Sequence, residues 1–195
     1  MCIRDSLLCL DLHERQHHRQ PYDNTHFSFN GHPLLDFEMY EKIFTCDGLR
    51  EALDLLAPQW WIGKYGGDKV NAGSKSHQWL HSDWTKYRTS SMEKGFALFV
   101  SLAVHDVPWD RAAIRVVPWS VPGWTEVDDH GNYADCFEGF YIEMKAGDIL
   151  IRDVRAAHAG SPNHASLDRV LPGAAVYHPW TWQPDVIETG AKNEK

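Results

Sequence analysis

Residues 147–169 read GDILIRDVRAAHAGSPNHASLDR, and this stretch carries more of the fold than any other. It opens on the last residue of Lys145-Ala146-Gly147, a hairpin-like link between the apolar runs 139–144 and 148–152. His158 follows, then Ser161-Pro162-Asn163, then Arg169 eleven positions beyond the histidine. The flanking sequence has the same texture of short apolar runs set off by Gly, Pro and Asp. Such runs occupy 59–65, which stops at Gly66-Gly67-Asp68, then 96–105, 114–117 and 171–178. Short strands with turn residues between them predict an all-β sandwich or barrel.

Ahead of these runs the period changes. Over 34–57, Phe37, Tyr40 and Phe44 recur at three and four, as do Leu49, Ala52, Leu53 and Leu56. The spacing predicts helices. Asp47-Gly48 interrupts the pattern, with Asp47 expected to cap a second helix that Pro58 ends. Residues 118–137 form a long polar segment rich in Gly and Asp, the kind of loop that often binds or covers a ligand. Residues 1–25 are expected to be disordered or foreign: Met1 to Ser6 resembles translated adapter sequence, which implies that the natural N-terminus is missing. The domain is therefore placed at 26–190, with helices at about 34–57 and the barrel at about 59–180.

Composition narrows the function. At 195 residues the chain can bury one substantial core, and 43% hydrophobic with 24% charged residues is ordinary for a globular protein. Its 27 acidic and 19 basic residues give a formal charge of −8 with no Lys/Arg block, which argues against nucleic acid as a partner. No apolar run reaches the roughly 18 residues of a membrane span. Cys2, Cys9, Cys46 and Cys136 are scattered without a C-x-x-C pair, a pattern that fits reduced thiols in a cytoplasmic protein.

The chemistry lies in His81-Ser82-Asp83 and His158. On an extended segment, positions i and i+2 point to one face, so His81 and Asp83 project together. A distant second histidine can complete three ligands on one side of a metal and leave the opposite side open, which is the arrangement of non-haem Fe(II) oxygenases. The chain has twelve histidines, and His77, His105, His130, His164 and His178 compete for the same role. Arg169 adds a fixed cation suited to a dicarboxylate.

The surrounding sequence resembles the phytanoyl-CoA dioxygenase family, which includes ectoine hydroxylase. Residues 78–84 (QWLHSDW) are similar to its first metal motif, and 99–107 (FVSLAVHDV) with 114–120 (IRVVPWS) to its central strand pair. The 147–169 stretch, with its histidine-to-arginine interval, is the most specific match, and the likeness spans 59–180. The resemblance implies a double-stranded β-helix, a jelly-roll or cupin-like barrel with flanking N-terminal helices. It also implies an enzyme that uses Fe(II), 2-oxoglutarate and O2 to hydroxylate a small organic substrate, releasing succinate and CO2. Carried over position by position, His81, Asp83 and His158 are the metal ligands and Arg169 holds the far carboxylate of 2-oxoglutarate. Phe99, sixteen residues after Asp83, and Ser101 on the same strand face are expected to line the co-substrate cavity. Asp83 favours hydroxylation, because halogenating relatives carry a small residue there.

Two departures stand out. Val170-Leu171-Pro172 replaces the hydroxyl residue that often follows such an arginine, so Tyr177 or Ser101 becomes the expected second donor. Trp119 replaces a turn glycine, and Val121 a histidine. Among nine tryptophans, Trp84, directly after the ligand pair, is the expected substrate-facing wall, whereas Lys86, Arg88 and Arg155 read as solvated charges. The competing reading is a non-catalytic β-barrel that binds a metal or ligand, or an oxygenase inactivated by truncation. It retains the barrel and the triad but has no use for Arg169.

Overall fold

β8 (Arg169–Tyr177) is buried at all nine of its residues, and this sets the architecture. A strand can be apolar on both faces only if both faces are covered. The computed structural model, which describes residues 25–30, 37–83, 97–118, 120 and 139–178, shows what covers them. The other strands are β1 (His26–Asn30), β2 (Trp61–Val70), β3 (Ala97–Leu102), β4 (Ile114–Val116), β5 (Phe140–Ile142), β6 (Ile149–Asp153) and β7 (His158–Gly160). They form a five-stranded sheet ordered β1-β2-β8-β3-β6 and a three-stranded sheet ordered β5-β4-β7, antiparallel throughout.

One face of the larger sheet packs on two helices, α1 (Phe37–Phe44) and α2 (Asp47–Leu56). Leu98 and Val100 of β3 and Ala174 and Val176 of β8 meet Tyr40, Phe44, Leu49 and Leu53 there. Each large aliphatic side chain so buried contributes about 1.5–3 kcal/mol. The opposite face looks across the interior at the smaller sheet: Leu171 and Leu150 pack with Ile114, Val116 and Ile142. Two antiparallel sheets closed around one apolar interior are the jelly-roll arrangement of a double-stranded β-helix, as expected.

The boundaries differ in instructive places. The helical break falls at Thr45-Cys46, and Asp47 is the first helical residue rather than a cap. Cys46 holds the N-cap position without a side-chain hydrogen bond, and Asp47 supplies first-turn negative charge instead. β2 does not end at Gly66-Gly67; it runs through them to Val70, because they lie opposite Gly173 and Pro172 of β8 in a ladder that is continuous from Lys64 onward, past a register shift at Ile62/Lys64. β1 had no sequence-level signal and enters as an edge strand on β2. The Lys145–Gly147 link is a turn as expected, with Gly147 at φ 98° and the Asp148 carboxylate accepting from the Lys145 N–H at 2.7 Å. Residues 1–24, Trp84, Lys86, Arg88, Trp119 and most of 118–137 lie outside the described residues.

Candidate metal centre

The segment 78–83 runs antiparallel beside β7. Gln78 N–H donates to Gly160 O at 2.9 Å, His81 and His158 exchange both backbone hydrogen bonds at 2.9 and 2.8 Å, and Asp83 N–H donates to Val154 O at 3.0 Å. Directly opposed residues of an antiparallel pair project to one face. The register therefore brings His81 and His158 together across 77 positions of sequence, with ring centroids 4.4 Å apart. Asp83, two residues on, points to the same face. Gly160 is required for this approach: a Cβ would lie 2.6 Å from Gln78 Oε1 and 2.8 Å from His26 Nδ1. That same Gln78 oxygen accepts the Gly160 N–H at 2.7 Å.

One donor atom from each of His81, Asp83 and His158 lies within 4.8 Å of the others. Asp83 Oδ1 is 4.0 Å from His81 Nε2 and 3.5 Å from His158 Nε2. His81 Nδ1 faces Trp79 O at 2.8 Å, and His158 Nδ1 faces Ala156 O at 3.0 Å. A carbonyl at Nδ1 calls for the proton there, which leaves the Nε2 lone pair for a metal. Burial, reinforced by His158, pushes His81 down to about 4, so its ring is neutral at physiological pH. Burial alone would raise the Asp83 carboxyl, but His158 and Arg152 outweigh it and hold it well below the usual carboxylate range. Two imidazoles and one carboxylate on a single side fit a first-row divalent metal with open positions opposite.

These donors line an open cavity, which Arg152, Arg169, Asp68 and Ser28 also line. Arg169 is only 2% exposed. Its Nε donates to Ala112 O at 3.2 Å and its Nη1 to Asp68 O at 3.3 Å, both backbone carbonyls. Ala112 turns its carbonyl from a left-handed backbone, φ 52°. Among the described residues no carboxylate comes within ion-pair distance of this guanidinium; that of Asp68 accepts from Ser28 Oγ at 3.1 Å. Burial lowers the Arg169 pKa to about 10, so it remains charged at neutral pH. The Asp68 charge works against this burial and offsets only part of it.

Phe99 and Ser101 share the interior face of β3, as expected, but neither is among the cavity-lining residues. Phe99 lies beneath Arg152 instead, 5.5 Å from ring centre to guanidinium carbon. Tyr177 stands eight residues from Arg169 along β8, at its far end, and stacks on Trp61. His105 is no ligand candidate: its Nε2 accepts the Val170 N–H at 3.0 Å. Arg152, Gln78 and Asp68 are cavity residues to which sequence reasoning gave no role. For Arg152 a signal existed, since an arginine follows Leu150 at the next interior position of an otherwise apolar strand.

A jelly-roll barrel carrying two histidines and a carboxylate beside an open cavity defines the class of non-haem metal oxygenase folds. The chain matches the phytanoyl-CoA dioxygenase (PhyH) family over residues 10–170 and belongs to that family. No curated protein matches it. Among solved structures it is similar to the epimerase SnoN in complex with Fe3+, alpha-ketoglutarate and nogalamycin RO, with TM-score 0.69 and 15% identity over 100% of this chain and 84% of that one. It is also similar to HygX from Streptomyces hygroscopicus with nickel, 2-oxoglutarate and hygromycin B bound, with TM-score 0.66 and 12% identity over 92% and 80%. Against EvdMO1, TM-score 0.54 and 16% identity over 71% of this chain, it spans only 32% of the other chain. At these identities the likeness is one of fold. No helix among the described residues is long and apolar enough to cross a membrane.

Proposed function

We propose that the chain is an Fe(II)- and 2-oxoglutarate-dependent dioxygenase that hydroxylates a small organic substrate and releases succinate and CO2. One observation carries the reading: the His81–Asp83–His158 donors and the buried cation of Arg169 line the same cavity. In this reading His81, Asp83 and His158 hold the iron. Arg169 binds the far carboxylate of 2-oxoglutarate and so fixes which end of the co-substrate faces the metal. Fe(II), when bound, supplies the oxygen-activating redox chemistry. The chain's own part is to orient: backbone carbonyls of Trp79 and Ala156 fix the two rings, and Ala112 and Asp68 fix the guanidinium.

Trp84, directly after Asp83, is proposed as a wall of the substrate site. Phe99 is proposed to act through Arg152, and Ser101 to complete the interior beside it. Relatives of this fold bound to nogalamycin RO and hygromycin B support a small-molecule substrate. Cys46, exposed and free, suits the proposed cytoplasmic setting. Because one relative is an epimerase, the product decides between outcomes: hydroxylation adds an oxygen atom to the substrate, and epimerisation leaves its mass unchanged.

The test is anaerobic addition of Fe(II) and 2-oxoglutarate to the full chain, followed by oxygenation with candidate metabolites. A weak visible charge-transfer band and substrate-dependent succinate are expected. A chain that binds metal but gives no band and no succinate is the non-catalytic module.

A further inference from the structure

The interior face of β6 carries Leu150 and then Arg152, where the strand's alternation calls for an apolar residue. Ile149 and Ile151 on the other face pack toward the helices. An arginine that breaks the pattern inside a barrel must be desolvated, and such breaks concentrate at functional sites. The Arg152 side chain is 6% exposed, and its Nη2 donates to Asp83 Oδ2 at 2.8 Å. Its guanidinium lies over the Phe99 ring, directly across the β3–β6 ladder. Its Nε is buried without a hydrogen-bond partner, a cost that a purely structural residue has no reason to carry.

The geometry points to Arg152 as the positioning residue of the metal site: by holding Oδ2 of Asp83 it leaves Oδ1 alone to face the two imidazole Nε2 atoms. The assignment rests on the proposed metal function and adds a determinant to it. A carboxylate free to rotate could offer both oxygens and occupy a position the co-substrate needs. Tied through Oδ2, it remains a one-oxygen ligand.

A second contact sharpens the argument. Arg152 Nη1 lies 2.9 Å from His158 Nδ1, which also faces Ala156 O at 3.0 Å. The carbonyl needs a proton on Nδ1, and the guanidinium needs a lone pair there. A metal on Nε2 decides for the carbonyl, so the bond to Asp83 is the one that persists in the loaded site. Packing on Phe99 and the short bond to Oδ2 both depend on a planar fork, which a lysine ammonium does not reproduce.

The cation also repels a divalent metal, so removing the charge and removing the fork act in opposite directions. Arg152→Lys keeps the charge and loses the fork, which makes it the decisive variant. The metal-stripped full chain is titrated with Co(II), following affinity by calorimetry and the visible ligand-field band, with apo melting temperature as the folding control. R152K is expected to melt near the wild type, bind Co(II) about 10–100-fold more weakly, and show an altered band. Wild-type affinity together with a wild-type band in R152K would overturn the assignment, and so would tighter binding. If R152K does not fold, Arg152→Met, whose apolar chain suits the interior, carries the band measurement: a changed band supports the assignment and an unchanged one ends it. A wild-type chain that binds no Co(II) overturns the metal reading and this assignment together, whereas normal wild-type binding with a silent R152K removes only Arg152.

Discussion

Arg169→Met separates the anion role of this residue from any structural one, because the two predict different observables. The wild-type guanidinium spends two donors on the carbonyls of Ala112 and Asp68, and an arginine has five. Removing it forfeits two hydrogen bonds of about 1 kcal/mol each. It also removes a buried cation whose desolvation costs several kcal/mol. The two terms oppose each other, and methionine refills most of the volume, so apo stability should change little. Co-substrate binding has no such offset. Truncating one partner of a buried charge pair costs about 3 kcal/mol, or about two orders of magnitude in Kd. The assay is anaerobic titration of the Fe(II)-loaded chain with 2-oxoglutarate, following the visible charge-transfer band, with metal affinity measured in parallel. Metal binding should be unchanged while the 2-oxoglutarate Kd rises about a hundredfold. In the wild type, affinity should hold through neutral pH and fall as the pH approaches about 10, where this buried guanidinium loses its proton. R169M with wild-type 2-oxoglutarate affinity would refute the anion site, and loss of metal binding in R169M would make Arg169 a structural residue.

Asp83→Ala should abolish succinate release and weaken metal binding, since the only carboxylate of the triad is gone; persistent wild-type turnover would refute the ligand assignment. Gly173→Ala drives a Cβ into Val100 O and the Phe99 ring, so a loss of about 2 kcal/mol and a melting temperature lower by about 4–8 °C are expected in thermal denaturation. His105 titrates with a lowered pKa because burial disfavours its charged form, helped by Arg111 and Arg169. The unfolded chain therefore binds the proton first as pH falls, and the stability His105 contributes is full above about 6.5 and lost as the pH falls toward its lowered folded value. Urea denaturation across that window should show a shallower pH slope for His105→Gln than for the wild type; equal slopes would assign the dependence elsewhere.

The barrel was legible because turn residues bound its strands and because His81-Ser82-Asp83, His158 and Arg169 keep a fixed order. β1 was not legible: His26–Asn30 is an edge strand whose pairing depends on β2, and β2 itself runs through Gly66-Gly67, which by local propensity reads as a turn. The ladder with β8 overrides that propensity. The break between α1 and α2 was misplaced by two residues because Asp47 suits an N-cap and a first turn equally well. Phe99 and Ser101 were correctly assigned to one strand face, but a face is not a cavity. Which interior residues reach the metal depends on side-chain length and on the second sheet, and this is why Arg152, from the neighbouring strand, stands over Phe99 and takes the place beside Asp83.

Charge balance connects the two arginines to the choice of co-substrate. Among the described residues the lining acids and guanidinium groups are matched in number, Asp68 and Asp83 against Arg152 and Arg169. The match is uneven in space: Arg152 and Asp83 pair at 2.8 Å, while among the described residues no carboxylate lies within ion-pair distance of Arg169, and Asp68, which acts on it through space, accepts from Ser28. A divalent metal would add two positive charges at the Asp83 end, with the Arg169 guanidinium at the other. A monocarboxylate 2-oxo acid would answer the metal but not the guanidinium. A dicarboxylate long enough to touch both ends brings two negative charges and restores neutrality at each. This is why Arg169 should govern co-substrate affinity without governing metal affinity.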